Sequence, residues 1–180
     1  MAIHNYQGIK FYKTESSKVD DNLVVEQALQ ININKKVFTI TMRTPGDDQD
    51  LIRGLLYSED IYKSNKNLTV SISENTEKGI TEADITIDKD LLSDGYSNSR
   101  NLLSVSSCGI CGKTELEELN PDNKIHSGFT LKIEDLYTMF KEMNEKQVTF
   151  HQSGGSHAAA AFSKNKELLS VREDIGRHNA

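Results

Sequence analysis

Leu29, Ile31 and Ile33 alternate with Gln30, Asn32 and Asn34, the period-2 pattern of a strand with one buried face. Asn34-Lys35-Lys36 reads as a turn and residues 37–42 alternate again, so a hairpin is predicted here. Leu68, Val70 and Ile72 repeat the pattern, and Ala83, Ile85 and Ile87 supply an antiparallel partner across the polar stretch 74–82. Thr44-Pro45-Gly46 interrupts the β pattern. Asp47 can then cap a helix near residues 47–58, whose first turn carries Asp48 and Asp50, where the helix dipole favours negative charge. Leu51, Ile52, Leu55 and Leu56 form its buried stripe, and Gly54 is expected to admit a neighbouring backbone closely.

Residues 94–99 read as a polar loop and mark the expected boundary between a β-rich N-terminal part, residues 1–100, and a second part, residues 101–180. In the second part, Leu102, Leu103 and Val105 predict a short strand running into Ser106-Ser107-Cys108. An amphipathic helix is predicted over residues 133–147, with Ile133, Leu136, Tyr137, Phe140 and Met143 on one face. Residues 158–162 and 168–171 are read as two strands joined by a turn at residues 163–166. The fold class is therefore α/β.

Composition narrows the function. The chain has 180 residues, 36% of them hydrophobic and 27% charged, which suits a soluble globular protein with a sizeable core. A net charge of -6 argues against a nucleic acid or anionic membrane held by bulk electrostatics. No apolar run is long enough to span a bilayer and residues 1–13 lack the apolar stretch of a signal peptide, so the cytoplasm is the expected compartment. Two cysteines, Cys108 and Cys111, stand three apart. In a reducing compartment that spacing points to reactivity or metal binding more than to a structural bridge.

The stretch from Ser106 to Lys113 places both thiols in a loop with Gly109 and Gly112. Glycine leaves a thiol sterically open, and Lys113 favours the thiolate that attacks sulfur. A structural zinc site would need two further ligands in a standard spacing; His126 and His157 do not provide one, so no zinc is expected. Thiol-disulfide exchange and sulfur transfer rank level on the chemistry alone. Ser153-Gly154-Gly155-Ser156-His157 is a second small, polar loop, suited to close approach of a flat or polar ligand. The stretch from Val171 to Asn179 is dense in charge; it reads either as a solvated turn or as a pocket whose Arg172 and Arg177 face phosphate.

Four blocks together resemble the FdhD family, the formate dehydrogenase accessory sulfurtransferases. They are Met42-Arg43-Thr44-Pro45-Gly46-Asp47-Asp48, Ser106-Ser107-Cys108-Gly109-Ile110-Cys111-Gly112-Lys113, Ser153-Gly154-Gly155-Ser156-His157-Ala158-Ala159-Ala160, and Val171-Arg172-Glu173-Asp174-Ile175-Gly176-Arg177-His178-Asn179-Ala180. The second and fourth are the specific ones. The resemblance implies that a cysteine desulfurase loads sulfur onto Cys108 as a persulfide, with Cys111 assisting by exchange. The sulfur would pass to the bis(molybdopterin guanine dinucleotide) molybdenum cofactor, bound as substrate, before its insertion into formate dehydrogenase. Gly154, Gly155, His157, Arg172, Arg177 and His178 are the expected cofactor-binding residues, and a homodimer is the expected assembly. A thiol-disulfide oxidoreductase and a non-catalytic molybdenum-cofactor chaperone are the alternatives.

The resemblance also implies a cytidine-deaminase-like core over residues 101–180, expected to be incomplete at Ala180 because the family continues beyond it. Deaminase chemistry itself is not supported by the sequence. His157 is followed two places on by Ala159 and His178 by Ala180, where a deaminase needs glutamate, and Ser107 stands where proline precedes the cysteine pair.

Overall fold

The computed structural model describes residues 2–98 and 130–180. They form a mixed α/β structure, β-rich in its N-terminal part, as the hydrophobic pattern predicted. The described residues fall into two compact units, one of residues 2–26, 44–46 and 130–180, the other of residues 27–43 and 47–98.

The second unit is a four-stranded sheet with one helix. Strands β3 (Gln27–Ile33), β4 (Lys36–Arg43), β5 (Val70–Asn75) and β6 (Ile80–Ile85) lie in the order β4-β3-β6-β5. The two predicted hairpins, β3/β4 and β5/β6, are both antiparallel, and they join through a parallel β3/β6 pairing in which Ile31 faces Ala83. Leu29, Ile31 and Ile33 are fully buried with Ala83 and Ile85, so the alternating residues do form one covered face. Ile52 and Leu56 of helix α1 (Asp48–Ser58) belong to the same core, with Leu51 and Leu55 packed at its margin. Non-polar burial of this kind stabilises at roughly 25 cal/mol per Å².

Polar residues lock the rest of this unit. In the β3–β4 turn Asn34 and Lys35 have φ of 51° and 66°, a left-handed pair that asparagine tolerates well. The Asn34 side chain donates to the Ile87 carbonyl at 2.8 Å and accepts from the Ile87 amide at 3.0 Å, mimicking one more strand residue. Arg43, 1% exposed, donates from Nε to Asp48 Oδ1 at 2.6 Å and from Nη2 to Oδ2 at 3.2 Å, tying the end of β4 to the first turn of α1. Its remaining hydrogens go to the Gln27 carbonyl, Gln27 Oε1 and Thr81 Oγ1.

Three expectations change here. Asp47 does sit at the N-cap of α1, but its side chain makes no capping hydrogen bond to the helix; the acidic first turn is engaged by Arg43 instead. Among the described residues, no atom outside its own helix lies within 4 Å of where a Cβ of Gly54 would stand; the close approach seen among them is at another glycine. It is at Gly95, in the short helix α2 (Asp94–Asn98) that replaces the predicted polar loop, where a Cβ would run into the carbonyl oxygens of Glu59 and Asp60.

The first unit begins with a two-stranded antiparallel ribbon, β1 (Ile3–Tyr12) and β2 (Glu15–Val24), that the sequence pattern did not signal. Helix α3 (Ile133–Glu145) falls on the predicted span. It packs on a second antiparallel ribbon, β7 (His157–Phe162) and β8 (Leu168–Asp174), while Ile133, Tyr137 and Phe140 on its apolar stripe are exposed among the described residues. Helix α4 (Val148–Ser153) lies between α3 and β7 in the chain and packs on β1 and β2. No helix among the described residues is long and apolar enough to cross a membrane.

Candidate functional site

The β7–β8 ribbon positions the third and fourth sequence blocks at one end. His157, the first residue of β7, pairs with Asp174, the last of β8; Ala158 pairs with Glu173 and Ala159 with Arg172. The Gly-Gly loop enters at this end and the turn carrying Arg177 and His178 leaves from it. Because paired residues share a face and neighbours alternate, His157, Arg172 and Asp174 share one face and Glu173 takes the other.

Glu173 organises the loop. Its Oε2 accepts from the Thr149 amide and its Oε1 from the Phe150 amide, both at 2.8 Å, which satisfies two free N–H groups of the first turn of α4. Oε1 also accepts from Ser156 Oγ at 2.9 Å. At the other end of α4, Gly154 adopts φ +67° and its amide donates to the Phe150 carbonyl at 2.7 Å, a left-handed stop that glycine makes at least cost. Ser153 Oγ donates to the Thr149 carbonyl and accepts from the Gly155 amide. Ser156 is 8% exposed, whereas Gly154, Gly155 and His157 are exposed.

Asp174, 4% exposed, organises the turn. Its Oδ2 accepts from the Thr44 amide at 2.8 Å; its Oδ1 accepts from the Gly176 amide at 2.7 Å and from Asn179 Nδ2 at 3.2 Å. Thr44 Oγ1 accepts in turn from the Ile175 amide at 3.0 Å. The amides of Asn179 and Ala180 close the turn on the Gly176 carbonyl. Arg177 and His178 project from it, exposed and without a hydrogen bond or ion pair to any described residue.

Of the expected binding residues, Gly154, Gly155, His157, Arg177 and His178 thus stand at one end of one ribbon. Arg172 lies further along β8, with Nη1 donating to the Val171 carbonyl at 2.7 Å and to Ser170 Oγ at 3.3 Å. Cys108 and Cys111 lie outside the described residues. Sequence reasoning did not single out Glu173, Asp174, Ser156 and Thr44, the residues that hold the site together. The available signal was the adjacent acidic pair: on a strand, two successive carboxylates must point to opposite faces, so each needs its own set of donors.

Residues 24–180 match the model of the FdhD/NarQ family. A sulfur carrier protein FdhD of Mycobacterium tuberculosis is 34% identical over 171 residues, covering 89% of this chain and 62% of that protein. That of Saccharolobus solfataricus is 34% identical over 183 residues, covering 100% of this chain and 67% of that protein. This chain thus spans only about three fifths of the Mycobacterium relative's length. Among solved structures, a protein assigned as a formate dehydrogenase accessory protein from Desulfotalea psychrophila superposes with a TM-score of 0.69 at 17% identity, over 100% of this chain and 66% of that one, a likeness of fold. With a family match over most of its length and relatives a third identical to it, the chain belongs to the FdhD/NarQ family.

Proposed function

We propose that the protein carries sulfur for a formate dehydrogenase. In this reading Cys108 attacks the terminal sulfur of a desulfurase persulfide; one S–S bond forms at Cys108 as another breaks, and the desulfurase thiolate leaves. The Cys108 S–S bond then breaks, Cys108 leaving as the thiolate while its outer sulfur passes to the bis(molybdopterin guanine dinucleotide) molybdenum cofactor, the substrate of the protein, whose reduced metal would supply the two electrons that take that sulfur to sulfide before the cofactor enters formate dehydrogenase. Cys111 assists by exchanging sulfur with Cys108. The partners are a cysteine desulfurase, formate dehydrogenase and a second copy of the chain, all in the cytoplasm.

The observation that carries the reading is the clustering of the glycine loop with His157, Arg177 and His178 at one end of β7–β8. An exposed arginine and two exposed imidazoles beside a glycine tip suit the diphosphate of a dinucleotide, which arginine can grip with paired hydrogen bonds. Arg172 contributes charge from the same strand face as His157. The relatives named as sulfur carriers support the cysteine chemistry.

Incubation with a cysteine desulfurase and cysteine, followed by peptide mass analysis without reductant, tests this directly. Gain of one sulfur atom on the Cys108 peptide, removable by reductant, is the expected result. A Cys108–Cys111 disulfide without added sulfur would replace the carrier by a thiol-disulfide oxidoreductase. A protein that binds the cofactor but never gains sulfur would be a chaperone.

A further inference from the structure

We propose that Glu173 is a positioning residue for the anionic ligand: from the strand face opposite His157, its carboxylate fixes the Gly154-Gly155-Ser156-His157 loop. This inference rests on the reading of that loop as part of the cofactor site.

The geometry is that of a clamp. One carboxylate holds both ends of a short segment, Thr149 and Phe150 at the entry and Ser156 at the exit, with all three contacts between 2.8 and 2.9 Å. Between those ends lie the rest of α4 and the exposed Gly154-Gly155 tip. A glycine pair is conformationally permissive, so unrestrained it would sample many backbone states and a ligand would have to order it. Clamping entry and exit removes most of that freedom before the ligand arrives. The cost falls on folding, where the two amides and the hydroxyl meet ready acceptors.

Glu173 is also suited to position without touching. Its neighbours Arg172 and Asp174 point to the other strand face, the one His157 shares. An anionic ligand engaging His157 therefore shares its face with Arg172 and with Asp174, whose buried carboxylate already accepts three hydrogen bonds, while the Glu173 charge lies behind the strand and is likewise taken up by three donors. The first turn of α4 is likewise unavailable to a phosphate, since Glu173 fills it. The same clamp sets where β7 begins, because Ser156 directly precedes His157.

The test compares the chain with its Glu173→Gln, Ser156→Ala and doubly substituted variants. GDP serves as the probe, because it carries the guanine and diphosphate of the cofactor. A glutamine presents one acceptor oxygen and turns an NH₂ group toward a donor, so GDP affinity should fall roughly ten-fold or more. Ser156→Ala should weaken binding less, and the double variant should be no worse than Glu173→Gln alone. Backbone amide NMR shifts of Gly154, Gly155 and His157 should move in Glu173→Gln without ligand. Unchanged GDP affinity in a folded Glu173→Gln variant would overturn the proposal and leave the residue purely architectural. Should the parent chain fail to bind GDP, the ligand reading falls, and the unliganded shifts still decide the clamp: unmoved loop shifts reject it, moved ones support it.

Discussion

Thr44 and Asp174 are 130 residues apart in the chain, yet the Thr44 amide donates to Asp174 Oδ2 at 2.8 Å while the Thr44 hydroxyl accepts from the amide just after Asp174. The Thr-Pro-Gly breaker that ends the first β segment is thereby part of the same hydrogen-bonded assembly as the turn bearing Arg177 and His178. Both partners are at most 8% exposed, so water cannot replace either bond at low cost.

Thr44→Val keeps the shape and the amide bond but deprives the Ile175 amide of its acceptor. The expected loss is about 1–2 kcal/mol of unfolding free energy, the cost of an unsatisfied part-buried donor, read from urea denaturation. A midpoint identical to that of the parent would show that Ile175 finds another acceptor.

Arg43→Met removes the cation from a buried pair and leaves Asp48, 12% exposed, without its partner. The predicted cost is about 3–5 kcal/mol. Adding Asp48→Asn should recover part of it, because the uncompensated charge goes too. Equal stability of the single and double variants would argue that solvent already screens Asp48.

Gly95→Ala drives a methyl group onto the Glu59 and Asp60 carbonyl oxygens. Backbone must shift to admit it, so a loss of about 1–3 kcal/mol is expected, whereas Gly54→Ala, where no described residue outside the helix would meet the methyl, should be neutral or stabilising. Thermal unfolding of the two variants side by side separates these effects.

The Asp135 carboxyl is held below its ordinary value of 3.8, first by the ion pair from Lys166 at 2.8 Å and then by the Lys132 amide. A depressed folded-state value means that its contribution to stability is present above about pH 4 and is lost as the pH falls through the folded value. Lys166→Ala should raise the Asp135 midpoint in an NMR titration and reduce the difference in stability between neutral and strongly acidic pH. An unchanged midpoint would assign the depression to the backbone amide.

Strands with a simple alternating pattern were readable from sequence, and so was their pairing into hairpins. Leu29, Ile31 and Ile33 announce a buried face because burial on a pleated strand has period two. The ribbon β1–β2 gave no such signal, since residues such as Tyr6, Ile9, Phe11 and Tyr12 are exposed and no burial imposes a pattern on them. The parallel joining of β3 to β6 is a choice among topologies that no local pattern encodes. At the site, the motifs named the residues that face outward, Gly154, His157, Arg177 and His178. The residues that hold them in place, Glu173 and Asp174, resembled an ordinary surface charge run, because a carboxylate whose donors are mostly backbone amides has no complementary partner visible in the sequence.

The discontinuous build of the first unit bears on how the chain leaves the ribosome. All four strands of the β4-β3-β6-β5 sheet are synthesised by Ile85, so that unit can acquire its core while translation continues. The unit holding Thr44 must wait until Asp174 has emerged, and the intervening length makes that closure entropically slow. Proteolysis of nascent chains arrested near residue 130 should therefore find the sheet protected and Thr44 open; equal protection of both would show that Thr44 is held by something other than Asp174.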